Sequence, residues 1–451
     1  MSIQAGISPP VALTADALPR RLGLVATTGV VIGTIIGSGI FRMPSVVAAE
    51  VGSAAGVIAV WTVGGLISLC GALSLAELAA AFPRSGGVFV YLREVYGDAV
   101  AFLFGWTMLF IGPAAVAGVS LVFAEYAASL TGAPTWAGRP IAAGAIAVCS
   151  AVAYQSVQGM GRLLTVASAA KAGAIVALVA VAFLLGDGVA GSFGAGAPSE
   201  AEARWGGMGI ALVAALWAYN GFHDMVSVAG EVRNPGRVLP RALLAGMFVV
   251  VAVYVAANAA YLFVLPFDAL RASPVVASEA MVRVVGEIGS GLVAMMVMVS
   301  TFGAVLGIAL TNPRVYYAIA SAGLLFAPLA RVHPRFRTPH VAVLAHAVVA
   351  MVCVWWRTFE QLAASFVLGI WPFLALAAAG VLVLRRTRPS LERPYRVPGY
   401  PVVPLVFVVG TVWIVGSALI AQPAPTLAGI GLTLLGAPVY WLRRRAARSL
   451  P

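Results

Sequence analysis

Residues 54–81 read AAGVIAVWTVGGLISLCGALSLAELAAA, and Glu77 is the one charged side chain in the run. As a helix this segment is about 40 Å long, more than the roughly 30 Å hydrocarbon thickness of a bilayer. Apolar runs of spanning length recur at about twelve places, among them 22–46, 98–130, 139–157, 165–186, 205–229, 241–265, 289–320, 340–356, 360–384, 401–421 and 424–442. Inside lipid the backbone must satisfy its own polar groups, and apolar runs of this length do so as helices. The expected fold is therefore an all-α polytopic membrane protein with 12 transmembrane helices. The charged share agrees, at 10% against about a quarter in soluble domains.

The net charge of +12 could point to nucleic acid, but the arginines alternate with the spans. Both tails and the even-numbered connections hold 20 of them, whereas Arg139, Arg204, Arg271, Arg283 and Arg357 stand alone on the opposite side. That asymmetry is the positive-inside pattern. It places both termini in the cytoplasm and the chain in the cytoplasmic membrane, and it leaves no role for nucleic acid. Residues 1–21 read as a cytoplasmic tail without a signal peptide, 22–384 as the core, 385–400 (RRTRPSLERPYRVPGY) as a solvated cytoplasmic loop, and 401–451 as two further spans with a tail. Cys70, Cys149 and Cys353 lie singly in apolar runs and make neither a disulfide framework nor a metal site. No cofactor is expected. Histidines without HExxH or a paired acid argue against an enzyme, and tails too short for a signalling domain argue against a receptor.

Two spans are interrupted by glycine at corresponding places: the first as GVVIGTIIGSGIFRMP (29–44), the sixth as ALWAYNGFHDM (215–225). Unwound backbone at membrane depth is tolerated where it lines a cavity, and matched breaks in two halves point to a carrier made of inverted repeats. The units run from 22 to 186 and from 205 to 384. Gly33 to Gly37 also forms a GxxxG pattern that could serve helix contact alone, but Gly39 lies on another face, where packing has no use for it. Gly37, Ser38 and Gly39 are therefore expected to unwind. The freed amides then offer a place for a carboxylate at the start of the next half-helix, and carbonyls near Ile35 a place for an ammonium. In the sixth span Gly221 supplies the break and Trp217, one turn before it, reads either as an ordinary core aromatic or as a lid. His223 and Asp224 read either as functional or as hydrated residues of the cytoplasmic half.

These segments resemble the amino acid-polyamine-organocation (APC) superfamily, above all its L-type amino acid transporter branch. The likeness extends through AELAAAFPRSGGVFVYLREVYG (76–97), LWAYNGFHDMVSVAGEVRNPGRVLPRAL (216–243), VHPRFRTP (332–339) and RPYRVPGYPVVP (393–404). It implies a LeuT-like 5+5 inverted repeat with broken helices 1 and 6 plus two C-terminal helices, moving an L-amino acid by alternating access. The resemblance assigns the substrate carboxylate to amides around Gly37, Ser38, Gly39 and Ile40. It assigns the amino group to the carbonyls of Ile35, Trp217 and Asn220, with Gly221 at the break and Trp217 as gate. Glu231 matches the family's acid at the cytoplasmic end of span 6. His223 stands where large L-type members usually carry asparagine, so His223 and Asp224 bear on selectivity. The outer loop TGAPTWAG (131–138) lacks the cysteine with which animal members attach a heavy subunit, so a stand-alone carrier is expected.

Lys171, in SAAKAGAIVAL, is the single lysine of the chain. It lies about 10 Å from the cytoplasmic start of span 5, within reach of the headgroups by snorkelling. Arginine would serve that purpose equally, and a lysine, unlike a guanidinium, can give up its proton when buried. In the family a lysine here takes the place of a sodium ion and bridges the broken first helix to span 8, where Ser300 or Thr301 is the partner. If it keeps its charge, the carrier is a sodium-independent exchanger; if it titrates, a proton-coupled symporter. A polyamine or cationic amino acid carrier is the second reading, with Glu77, Glu125 and Asp224 as its acids, and a channel ranks behind both.

Overall fold

The computed structural model describes residues 22–84, 86–155, 160–189, 205–227, 229 and 232–448. The N-terminal tail and Glu231 lie outside them. The described residues form helices α1 (Leu24–Ile35), α2 (Gly39–Val51), α3 (Ala54–Ala81), α4 (Val88–Tyr96), α5 (Asp98–Thr131), α6 (Gly138–Gln155), α7 (Met160–Leu185), α8 (Trp205–Tyr219) and α9 (Phe222–Ser227). They continue with α10 (Pro235–Val264), α11 (Phe267–Ala272), α12 (Val276–Ser321), α13 (His340–Trp356), α14 (Phe359–Thr387), α15 (Val402–Ala421), α16 (Pro423–Leu434) and α17 (Gly436–Arg448). Among the described residues, eight helical segments are long and apolar enough to cross a membrane, or nine if α1 and α2, bent by 45° at their break, count as one span. Ala170–Leu185, Gly207–Tyr219 and His340–Trp356 are shorter apolar helices. Phe248, Val299 and Val412 stand more than 60% exposed on outward faces. Apolar side chains in such positions are normal when lipid covers them, and the chain is a multi-pass membrane protein.

Helix ends follow local chemistry. Gly52 closes α2 in the left-handed region at φ 65°. Ser53 then caps α3, its hydroxyl accepting from the Gly56 amide at 3.1 Å. Thr358 and Gln361 form a reciprocal capping box at the start of α14. Residues 266–288, between the spans expected at 241–265 and 289–320, hold α11 and the first turns of α12. Gly286, at φ 73° and ψ −167°, breaks α12, so the apolar span begins after it.

Two packing groups emerge. Helices α1, α2, α3, α8 and α10 pack together, as do α5, α6, α12, α13 and α14. α7 touches α1, α10 and α12, and α15 is wedged among α3, α8 and α14. Between α3 and α5, the short α4 sits outside the spans and carries Glu94, whose carboxylate accepts from Arg84 at 2.6 Å and Arg388 at 3.2 Å. Burial pushes this carboxyl up, but those two guanidinium groups outweigh it and hold it below its ordinary value. A depressed acid contributes stability above the unfolded value that is lost as pH falls through the folded one. Glu94→Gln is therefore expected to lower the melting temperature by about 1–2 °C at neutral pH, as suits half-exposed pairs. The gap should hold down to the ordinary carboxylate range and narrow as pH falls below about 4; a gap constant with pH would refute the pairing.

Candidate functional site

The two interrupted spans meet. α1 ends at Ile35, whose neighbour Ile36 still donates to Ile32 O at 2.8 Å, and the ladder resumes only with Phe41 N to Ser38 O at 3.2 Å. Residues 36–38 between them are non-helical and interior, with Ser38 2% exposed. On the other side, Asn220 and Gly221 separate α8 from α9, Asn220 N reaching Trp217 O at 3.2 Å and Asp224 N reaching Gly221 O at 3.0 Å. Gly221 adopts φ 117°, and a Cβ there would stand 2.6 Å from Thr34 O. Thr34 Oγ1 lies 3.2 Å from Gly221 O, so one break is bonded to the other.

The unwinding expected at Gly37, Ser38 and Gly39 falls on residues 36–38, Gly39 being already the first residue of α2, and the role given to Gly39 also needs correction. A Cβ on Gly39 would overlap the Cα and Cβ of Ala218, so Gly39 is a packing glycine that lets α2 approach α8. Gly37 differs: the nearest atom to a Cβ there is Ile35 O at 3.9 Å. Ile40 is fully buried at the start of α2.

Of the three carbonyls assigned to an ammonium, two are engaged. Ile35 O accepts from the Tyr254 hydroxyl at 3.1 Å, and Trp217 O accepts from Asn220 N. A carbonyl has two lone pairs, so each retains one. Asn220 also brings a side-chain oxygen that is buried without a hydrogen-bond partner. Tyr254 went unnoticed in the sequence, where it is one aromatic residue within an apolar span.

Trp217, one turn before the break in the sixth span, is 7% exposed and packs against the second group. Its ring meets Phe359 and Phe366 edge-on, with centroids 5.9 and 5.6 Å apart. Above Phe359 stands Arg42, its guanidinium 5.6 Å from the ring centroid. Arg42 binds Glu360 at 2.5 Å and approaches Glu125 at 3.3 Å. This triad joins α2 to α5 and α14, and sequence reasoning missed Arg42. His223 is buried, its Nε2 3.4 Å from the half-exposed Asp224 carboxylate and its Nδ1 without a partner. The histidine is thus interior and the acid reaches outward.

Lys171 is 6% exposed. Its Nζ lies 3.7 Å from where a Cβ on Gly303 would stand, so the amine faces α12. Ser300, one turn earlier, has a buried hydroxyl without a partner, whereas Thr301 Oγ1 turns back onto Val297 O at 2.7 Å. Of the two partners named from the sequence, Ser300 is the one left free. α1 packs on α7 as well, so the lysine's helix lies against both broken span and α12. Cys70, Cys149 and Cys353 are unpaired, and no cluster that could hold a metal occurs among the described residues.

Residues 22–435 match the family model of the amino acid permeases. The serine/threonine exchanger SteT of Bacillus subtilis is 32% identical over 437 residues, covering 96% of this chain and 99% of its own. The human b(0,+)-type amino acid transporter 1 is 32% identical over 417 residues, 90% of this chain and 84% of its own. The human cystine/glutamate transporter is also 32% identical, over 94% of this chain and 85% of its own length. With two interrupted helices that meet at their breaks and relatives matched almost end to end, the chain belongs to the amino acid permease family of the APC superfamily, a family of transporters and not of enzymes.

Proposed function

We propose that the chain carries a neutral L-amino acid across the cytoplasmic membrane by alternating access, as a sodium-independent exchanger with twelve spans and both termini in the cytoplasm. The observation that carries this reading is the contact between the two breaks, where Thr34 and Gly221 touch. The amides of Gly37, Ser38, Gly39 and Ile40 take the carboxylate, and the remaining lone pairs of Ile35, Trp217 and Asn220 take the ammonium. Trp217 closes over the ligand, while His223 and Asp224 bear on the side chain. Lys171 with Ser300 supplies a positive centre between α1 and α12 in place of an ion.

Eight long helical segments, one bent pair and three shorter apolar helices support the span count, and the arginine asymmetry supports the orientation. The broken pairs α1/α2 and α8/α9 support a five-plus-five arrangement of inverted units. The exchanger reading is favoured by the serine/threonine exchanger among the relatives. A polyamine carrier is disfavoured because two of its candidate acids are already matched: Glu77 binds Arg385 at 2.6 Å and Glu125 faces Arg42 at 3.3 Å.

The test is uptake into proteoliposomes loaded with serine, with alanine, leucine, serine, arginine and putrescine as competitors. Internal serine should accelerate uptake of labelled serine at least about tenfold, the mark of obligatory exchange. Neutral amino acids should compete and putrescine should not. Uptake indifferent to internal amino acid would remove the exchanger, and dominant competition by putrescine would restore the polyamine carrier.

A further inference from the structure

The acid at the inner end of α3 is bound more heavily than a structural carboxylate in a span requires. Glu77 is 2% exposed. It accepts from Arg385 through Nε at 3.0 Å and Nη2 at 2.6 Å, and from the Val397 amide at 2.7 Å. Arg393 Nε stands 3.6 Å away with its side chain 5% exposed. The loop expected to be solvated therefore turns two arginines inward. Arg393 also donates to the carbonyls of Leu384, Arg388 and Leu391, which closes the C-terminal end of α14. The Arg385 guanidinium is stacked 3.9 Å from the Tyr400 ring centroid. Glu77 comes from the first packing group; Arg385 ends α14, in the second.

The same loop leads into α15, and α15 reaches the break in the sixth span. Phe407 fills the space beside Gly71 of α3, where a Cβ would meet its ring. Its ring lies 6.4 Å from Phe222, the residue after Gly221, and 5.2 Å from Trp371 of α14. Glu77, the loop and Phe407 thus form one continuous contact from α3 to the inner half-helix α9. At the other end, Arg42 of α2 binds Glu125 and Glu360 of the second group. The two groups are tied at both ends of the bundle.

We propose that Glu77 with Arg385 and Arg393 is the cytoplasmic latch of the carrier: it holds the inner ends of the two helix groups together and must part for the inner face to open. Glu77 is a positioning residue, since it touches loop and helix and not the substrate. This rests on the alternating-access reading above. Removing the carboxylate's charge leaves two interior guanidinium groups without a counterion, a penalty specific to the latched form because hydration relieves it once the ends part. Glu77→Gln keeps the size but removes the charge and one of the two accepting oxygens, and shifts the population toward the inward-open form.

The test reads conformation directly and needs no substrate. In full-length protein whose three native cysteines are replaced, Met225→Cys reports on the inner half-helix and Met43→Cys on the outer end, both sites being buried. Each is labelled with a polar maleimide in detergent. With Glu77→Gln the inner reporter should react about tenfold faster while the outer one does not accelerate. The swap Glu77→Arg with Arg385→Glu should return the inner rate toward its original value. An unchanged inner rate, or equal acceleration of both reporters as in general unfolding, overturns the latch. If the wild-type carrier fails to exchange amino acids, the transport reading falls separately, because these labelling rates do not depend on it.

Discussion

Gly221→Ala is expected to abolish transport while leaving the protein in the membrane. The position combines φ 117° with a backbone neighbour 2.6 Å from any added Cβ. An L side chain pays strain of about 1–3 kcal/mol in that region of backbone space. The clash adds to this because Thr34 O belongs to the backbone of α1 and cannot rotate away. Relief comes from separating the breaks, which also removes the 3.2 Å contact between Thr34 and Gly221. A combined 3 kcal/mol corresponds to somewhat more than a hundredfold, so uptake should drop by at least about that factor. Elution as a monodisperse species in detergent would show that folding persists. Gly37→Ala is the informative contrast. Its added methyl meets nothing closer than 3.9 Å, so folding should be untouched and any loss should appear as weakened substrate affinity. An alanine at 221 with uptake within about twofold of wild type would mean that the meeting of the breaks is not the working part.

The breaks were legible because glycine inside an apolar run has few explanations, and GSG followed by IFR or NG followed by FH narrows them further. What the residues could not express was which glycine serves which end. Gly39 reads like a partner of Gly37, yet Ala218, far away in sequence, decides that it is a packing position. Arg42 is harder still. A single arginine near the end of a span resembles a snorkelling residue, and its partner Glu360 lies 318 positions away. The loop 385–400 shows the same limit from the opposite direction. Its arginine density suggests a hydrated surface, and the carboxylate that draws Arg385 inward sits 308 residues earlier, in a run whose composition says only that it spans. Local pattern fixes where helices start, stop and unwind. Charge pairing between distant spans is settled by how they pack, and one sequence carries no direct signal of it.

Lys171→Ala should likewise reduce exchange by at least about a hundredfold with insertion intact, but for an electrostatic reason. The amine is interior, faces α12 at Gly303, and has the unpartnered Ser300 hydroxyl one turn away. No carboxylate among the described residues pairs with it. A buried cation in that position costs free energy unless the surrounding dipoles repay it, and the unwound end of α1, whose helix packs on α7, is where such dipoles are concentrated. Methyl in place of butylammonium leaves those dipoles unopposed and the gap between α1 and α12 unfilled. Lys171→Arg separates charge from shape: it keeps the positive centre but replaces a compact ammonium with a planar fork. Exchange by the arginine variant at about a tenth of the wild-type rate or better, against none for alanine, would establish that charge is what the site needs. The remaining question, whether the proton leaves during the cycle, is answered by imposing a pH gradient. As an exchanger with a permanently charged Lys171, the wild type should run at the same rate with and without the gradient when amino acid is present on both sides. Net accumulation driven by an inward proton gradient in vesicles without internal amino acid would instead make Lys171 a proton carrier and the protein a symporter. A fully active alanine variant would remove Lys171 from the mechanism altogether.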